Sequence, residues 1–260
     1  MVGFFLIPFF VLNFNLVKKW YSIETTHFVL YYYDGLEDFA QRSAQFLEEK
    51  AYHHVVNTLK NPLDRKTHIV FLDVDDIGNG FAIEILDQIV IFAADIYYIP
   101  LRGRHPWLED VLTHEFSHIV ALRKAKKTSR YVPTVFIIGG LFCGIGKGSL
   151  CSISLSERQA TLVGGFGFGL PPYSEPAYFT EGIAQLVTAE LGHDALDSYR
   201  NMILRTLLYH KKIYPLKYLW NFEAKQAWQG EIVYNHGFSF LYFIKENYGW
   251  DAILRTIDCA

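Results

Sequence analysis

The run His114-Glu115-Phe116-Ser117-His118 constrains this chain more than any other five residues. Histidines four positions apart project from one face of a helix, one turn apart. Both imidazoles can then reach one zinc ion at ~2.0–2.1 Å. Glu115 falls beside the open coordination position, where a carboxylate can take a proton from metal-bound water. Pro106 precedes the segment, and Val111, Leu112, Ile119, Val120 and Leu122 supply apolar surface to bury it. The pattern predicts a helix over residues 107–122. The same pentapeptide also arises in helices that hold no metal, so the motif needs a third ligand before it carries weight.

Tyr178-Phe179-Thr180-Glu181-Gly182-Ile183-Ala184 offers one, on a second predicted helix over residues 175–191. A His-His-Glu set leaves the fourth position of a zinc site for water. Gly182 and Ala184 are small enough to let a neighbouring backbone come close. The plainer alternative makes Glu181 a solvated glutamate at a helix start, favoured there by the helix dipole.

The rest of the chain alternates in character. Residues 27–33 (HFVLYYY) read as a strand and 36–60 as a helix ended by Asn61-Pro62. Residues 68–72 form a short apolar strand, and 80–84 with 89–93 a hairpin pair. The basic run 123–130 reads as a solvated helix end, since cations suit helix C-termini; its lesser reading is a patch facing anionic lipid. A long, irregular, glycine-rich insertion follows, and residues 194–259 read as several helices broken near Pro215 and Gly230. The phosphate-loop pattern fails in the insertion: Gly146-Lys147 would require glycine where Leu141 stands, and Gly148 replaces the Ser or Thr. The histidines outside the pentapeptide lack metal-ligand spacing with one another.

HExxH followed by a Trp-x-x-Glu-Gly-x-Ala-like segment resembles the gluzincin metallopeptidases, with Tyr178 where tryptophan is usual. Residues 24–33, 79–82 and 112–119 are similar to the bacterial peptidase-MA-like group, in which this domain often precedes a TolB-type β-propeller; no propeller is present here. The resemblance covers roughly residues 20–258. It implies an α+β, thermolysin-like catalytic domain: a small mixed sheet and the HExxH helix, followed by a helical subdomain. The corresponding division is an apolar segment 1–19, an α/β part 20–122, an insertion 123–174, and a helical part 175–260 with the third zinc ligand.

The resemblance also assigns roles. His114, His118 and Glu181 would hold one Zn2+, and Glu115 would be the general base. Tyr234, in Tyr234-Asn235-His236-Gly237, resembles the tyrosine of gluzincin aminopeptidases that stabilises the oxyanion, with His236 a second donor. Gly80, Phe81 and Ala82 would lie on the edge strand that pairs with substrate backbone; the alternative is an ordinary sheet edge. The Gly-x-Met-Glu-Asn motif of the aminopeptidases is absent, so exopeptidase action has no support. Asp110 and Glu190 are candidates for residues that orient the ligands.

Composition bounds the partners. Lys plus Arg is 24 against 27 for Asp plus Glu, so the formal net charge of −3 argues against a dedicated nucleic-acid binder. With 51% hydrophobic residues, the chain is no disordered tail. No CxxC pair exists among the three cysteines, which argues against a cysteine zinc site; Cys143 and Cys151 are near enough in sequence to pair in an oxidising compartment, leaving Cys259 over. Residues 2–17 are almost wholly apolar and closed by Lys18-Lys19. Sixteen helical residues reach only about 24 Å, short of the ~30 Å membrane core. An export signal or anchor fits that length, with a mis-assigned start or a core segment as alternatives.

The expectation is thus an exported or membrane-anchored zinc endopeptidase acting on peptides or unfolded protein. Two other classes stay open: a zinc-holding, catalytically latent binding or regulatory module, and a membrane-associated scaffold using residues 2–17 and the insertion.

Overall fold

The computed structural model describes residues 19–73, 76, 78–83, 86–94, 102–103, 105–125, 137–142, 163–168, 176–222 and 227–259. The chain divides into two units, residues 20–127 with 173–260, and residues 1–19 with 128–172. The apolar segment 2–17, Cys143 and Cys151 lie outside the described residues.

The larger unit is mixed α+β. Strand β1 (Trp20–Glu24) pairs antiparallel with β2 (Phe28–Tyr33), a strand partner the sequence reading did not mark. Aromatic pairs join them: Trp20 meets Tyr33 edge-on at 5.1 Å, and Tyr21 stacks on Tyr32 at 5.7 Å. Helix α1 (Glu37–Phe46) runs through a π-turn (Leu47–Ala51) into α2 (Tyr52–Leu59). Lys60 then turns left-handed at φ 52°, which ends the helix one residue before Asn61-Pro62. Strands β3 (Thr67–Leu72), β4 (Asn79–Ile83) and β5 (Gln88–Phe92) complete a five-stranded sheet of order β1-β2-β3-β5-β4. The inner pairs β2–β3 and β3–β5 are parallel, and β4 lies antiparallel to β5 at the edge.

Helix α3 (Trp107–Ala125) crosses this sheet beside β4 and β5. Its rotation is set by apolar residues of the motif segment. Phe116 is fully buried, edge-on to Phe28 at 5.0 Å and stacked on Tyr52 at 6.0 Å, while Ile119 and Val120 are equally buried. Phe116 sits on the helix side away from His114 and His118, so anchoring Phe116 in the core turns the histidines outward from the sheet. Gly80 of β4 lies directly against α3: a Cβ there would stand 2.7 Å from Val111 Cγ2 and 3.1 Å from Glu115 Cγ.

A second tie joins the sheet to the same helix. Asp87, in the β4–β5 turn at φ 50°, is buried and accepts from Arg123 Nε at 2.6 Å and pairs with Arg65 Nε at 2.9 Å. Arg123 is therefore a clamp rather than part of a solvated helix end, Lys124 pairs with Asp258 at 3.2 Å, and residues 126–130 of the basic run lie outside the described residues. The helix also runs on to Ala125, past the boundary expected at residue 122.

In the smaller unit, β6 (Ile137–Phe142) and β7 (Val163–Phe168) pair antiparallel, so the glycine-rich stretch is not irregular throughout. The remaining elements belong to the larger unit: α4 (Ala177–Glu190), α5 (Ser198–Tyr209), a 3-10 turn (Leu216–Leu219), α6 (Ala227–Tyr248) and α7 (Trp250–Cys259). Asp197 caps α5, accepting from Tyr199 N at 2.8 Å and Arg200 N at 3.1 Å. Gly230 lies inside α6 rather than at a break. The break comes instead at Gly249, whose φ of 76° glycine adopts without a Cβ clash.

Candidate metal centre

Helices α3 and α4 bring three ligand atoms to one point. His114 Nε2 lies 3.0 Å from Glu181 Oε2, His118 Nε2 lies 3.3 Å from the same oxygen, and the two imidazole nitrogens are 3.2 Å apart. Three lone-pair atoms facing one another this closely repel unless a proton or cation lies among them. Four ligands at ~2.0–2.1 Å around a tetrahedral ion are themselves about 3.3–3.4 Å apart. The observed triangle is within a few tenths of an ångström of that spacing, and its two nitrogens and one carboxylate oxygen suit a divalent ion. All three side chains are partly buried, and among the described residues these are the His, Cys, Asp or Glu atoms that converge in this way. Desolvation pushes the Glu181 carboxyl up, but the two imidazoles, His118 foremost, outweigh it and hold it well below the usual carboxylate range.

Glu181 is delivered by a close helix crossing. At Gly182 of α4, an added Cβ would stand 2.6 Å from the Gly237 carbonyl of α6; at Gly237 it would stand 1.9 Å from the Tyr178 oxygen. Each helix presents bare backbone to the other at the turn beside a site residue. Gly182 adjoins Glu181, and Gly237 lies three residues after Tyr234. The small-residue reading of Gly182 thus has a concrete partner.

A polar cleft opens beside the ligand triangle. Gly80, Asp110, Glu115, His114, Arg102 and Tyr234 are among the residues lining it. The Tyr234 ring lies 6.2 Å from the His114 ring and 5.3 Å from Phe222, and the Arg102 guanidinium sits 5.0 Å from its centre. Burial and the Glu181 charge push the Tyr234 phenol well above its ordinary value, Arg102 notwithstanding. The hydroxyl therefore keeps its proton and can donate a hydrogen bond.

Behind Tyr234 lies a buried charge network that the sequence reading did not find. Arg102 forks onto Glu231, with Nε 3.0 and 3.1 Å from the two oxygens and Nη2 2.6 Å from Oε1. Arg200, almost wholly buried, donates to both oxygens of Asp194 at 3.2 and 2.5 Å and stands 3.8 Å from Glu231. Gln185, its amide oxygen turned to the guanidinium, accepts from Arg200 at 3.1 and 3.2 Å. Arg102 and Glu231 are separated by 129 residues, and no local spacing marks such a pair.

Asp110 stands one turn before His114 and lines the cleft, whereas Glu190 faces elsewhere, bound to Trp250 Nε1 at 2.9 Å and Lys245 at 3.0 Å. Desolvation and Asp194 push Asp110 up to about 8, against the pull of Arg200 and Arg102, with Glu115 adding to the rise. The fold thus favours the neutral carboxyl, and stability is lost as pH climbs from the ordinary aspartate range through that value. Asp110→Asn carries no charge to desolvate. Its melting temperature should gain on the wild type between about pH 4 and about pH 8 and gain no more above that. A gap that does not change with pH would remove Asp110 as the source.

Of the residues singled out in the sequence, His114, Glu115, Tyr234 and Gly80 line one cleft, and His118 and Glu181 converge with His114 beside it. Phe81 and Ala82 follow Gly80 on the edge strand β4 but do not line the cleft. Nor does His236, which is half-buried with its Nδ1 lacking a hydrogen-bond partner among the described residues. Three of the other histidines have hydrogen-bond partners: His27 bonds Glu48 at 2.8 Å, His54 the Val187 carbonyl at 2.8 Å and His68 the Tyr31 hydroxyl at 3.0 Å. No known protein family matches the chain, and no curated protein does.

Proposed function

We propose that this chain is a zinc-dependent metallopeptidase of the gluzincin type, an endopeptidase acting on extended peptides or unfolded protein. The observation that carries the proposal is the triangle of His114 Nε2, His118 Nε2 and Glu181 Oε2, with separations of 3.0 to 3.3 Å beside a cleft lined by Glu115. A thermolysin-like arrangement is part of the same proposal. The antiparallel edge strand β4 against the HExxH helix, with a second helix supplying the glutamate, supports it.

Zinc held by these residues would supply Lewis acidity, lowering the pKa of water from ~15.7 towards ~7 and polarising the scissile carbonyl. Glu115 accepts the proton of the attacking water and passes it to the departing amine. Tyr234 donates a hydrogen bond to the oxygen that becomes negatively charged, a contribution typically worth ~3–4 kcal/mol of barrier. Arg102 and Phe222 both pack against the phenol ring. Strand β4, with β5 its strand partner on one side, adds a substrate segment to its other edge through main-chain hydrogen bonds. Export or anchoring through residues 2–17 belongs to the proposal as well. Among the described residues, no helix is long and apolar enough to cross a membrane.

The test is metal quantification with digestion of an unfolded protein mixture. About one zinc per chain is expected, with cleavage stopped by a chelator and restored by zinc. Absence of zinc after metal addition would sink the proposal; zinc without cleavage would favour the latent binding module. Chelation should also lower the melting temperature by about 10 °C if zinc stands at about a thousandfold its dissociation constant. Glu181→Gln should lose most of that chelator response, because it replaces a charged ligand with a weak one.

A further inference from the structure

We propose that residues 199–222, helix α5 and the turn after it, form a face that docks on the surface of an anionic lipid membrane. Twelve large apolar side chains are exposed among the described residues, and eight of them fall in this short stretch. Tyr209 is 84% exposed, Leu208 56%, Ile213 55% and Trp220 49%. They are not a core left unfinished. Ile203, Leu207, Tyr214 and Tyr218 of the same stretch already pack on the buried cluster of Leu219, Ile232 and Val233. The exposed set lies beside that packed ridge. Along α5, Tyr199, Met202 and Tyr209 recur at i, i+3 and i+10, flanking Ile203 and Leu207, and Leu208 adds a fourth exposed side chain. The chain then folds back tightly, Lys211 N bonding Leu208 O at 3.0 Å and Lys212 N bonding Leu207 O at 2.8 Å, which keeps Leu208, Tyr209 and Ile213 together.

Charge identifies the occupant. Residues 198–222 contain no Asp or Glu, although the whole chain carries net −3. Arg200 is buried on Asp194, but Arg205, Lys211, Lys212 and Lys217 make no ion pair with the described residues. Exposed aromatic and aliphatic side chains interleaved with lysines match a membrane interface, where rings sit at headgroup depth and ammonium groups meet anionic lipid. A protein partner fits less well, because lysine is depleted from the buried centres of protein interfaces. The face does not depend on the metal centre, yet it borders the cleft: Phe222, last of the series, packs on Tyr234 at 5.3 Å.

Hydrogen exchange of the full chain, with and without vesicles, tests this locally and so separates the face from residues 2–17. Residues 205–222 should be protected by vesicles of equimolar phosphatidylcholine and phosphatidylglycerol, and not by phosphatidylcholine alone. The triple variant K211E/K212E/K217E should lose that protection, with vesicle affinity down roughly 100-fold, about fivefold per lysine. Tyr209→Ser with Ile213→Ser should keep the wild-type circular dichroism and bind only at low salt. Vesicle adhesion that leaves 205–222 unprotected would overturn the proposal. So would protection that follows protein concentration without lipid, since a second copy of the chain would then be the occupant.

Discussion

Glu115→Gln should bind zinc like the wild type and lose hydrolysis, with kcat/KM falling roughly a thousandfold. Glutamine keeps the shape of the side chain against Gly80, whose close approach to Glu115 Cγ fixes the strand–helix contact. It also leaves His114, His118 and Glu181 untouched. What it removes is an oxygen able to accept a proton. The measurement is cleavage of an unfolded protein by both proteins, each with its zinc quantified. Activity within a factor of about three of wild type would remove Glu115 from proton transfer. Loss of zinc along with activity would make Glu115 part of the ligand scaffold instead.

Gly237→Ala should damage the fold and the site together. The new methyl would be driven to 1.9 Å from the Tyr178 carbonyl oxygen, a main-chain atom that cannot swing aside as a flexible side chain could. Helices α4 and α6 must separate to admit it. Overpacking typically costs about 1–3 kcal/mol, and a clash with backbone belongs at or beyond the upper end. For a domain of this size about 3 kcal/mol lowers the melting temperature by roughly 6–12 °C. Because α4 carries Glu181 and α6 carries Tyr234, zinc affinity and activity should fall with it. Gly230→Ala is the control: a Cβ there meets nothing closer than 3.8 Å, from the Phe222 ring, and should be tolerated. Equal melting temperatures for the two variants would refute the close crossing.

The helix that carries His114 and His118 was legible because its signal is local. Two histidines four apart, a glutamate between them and apolar residues on the far side fix both a helix and a direction within one segment. The convergence of Glu181 on the two histidines was legible through the small residues beside it, and the place of Tyr234 near His114 through the motif it resembles. The network behind Tyr234 was not. Arg102, Arg200, Asp194 and Glu231 look like ordinary charged residues until the fold closes, since each partner comes from a distant element. Strand β1 was missed because five residues carry little periodicity, and their order comes from pairing with β2. The opposite error occurred at Gly230, which a long helix absorbs at a cost of about 1 kcal/mol.

The close approach of β4 to α3 at Gly80, with Asp87 at the start of β5 held by Arg123 of the same helix, bears on selectivity. A Cβ at Gly80 would have no room against Val111 and Glu115, so on the proposed reading this wall of the cleft is a tight one. A side chain of a bound peptide that pointed toward it would be sorted by bulk alone: admitted or refused, with no graded accommodation. Breadth in what the cleft accepts would have to come from the opposite wall, where Tyr234 and Phe222 meet as rings rather than as interlocked backbone.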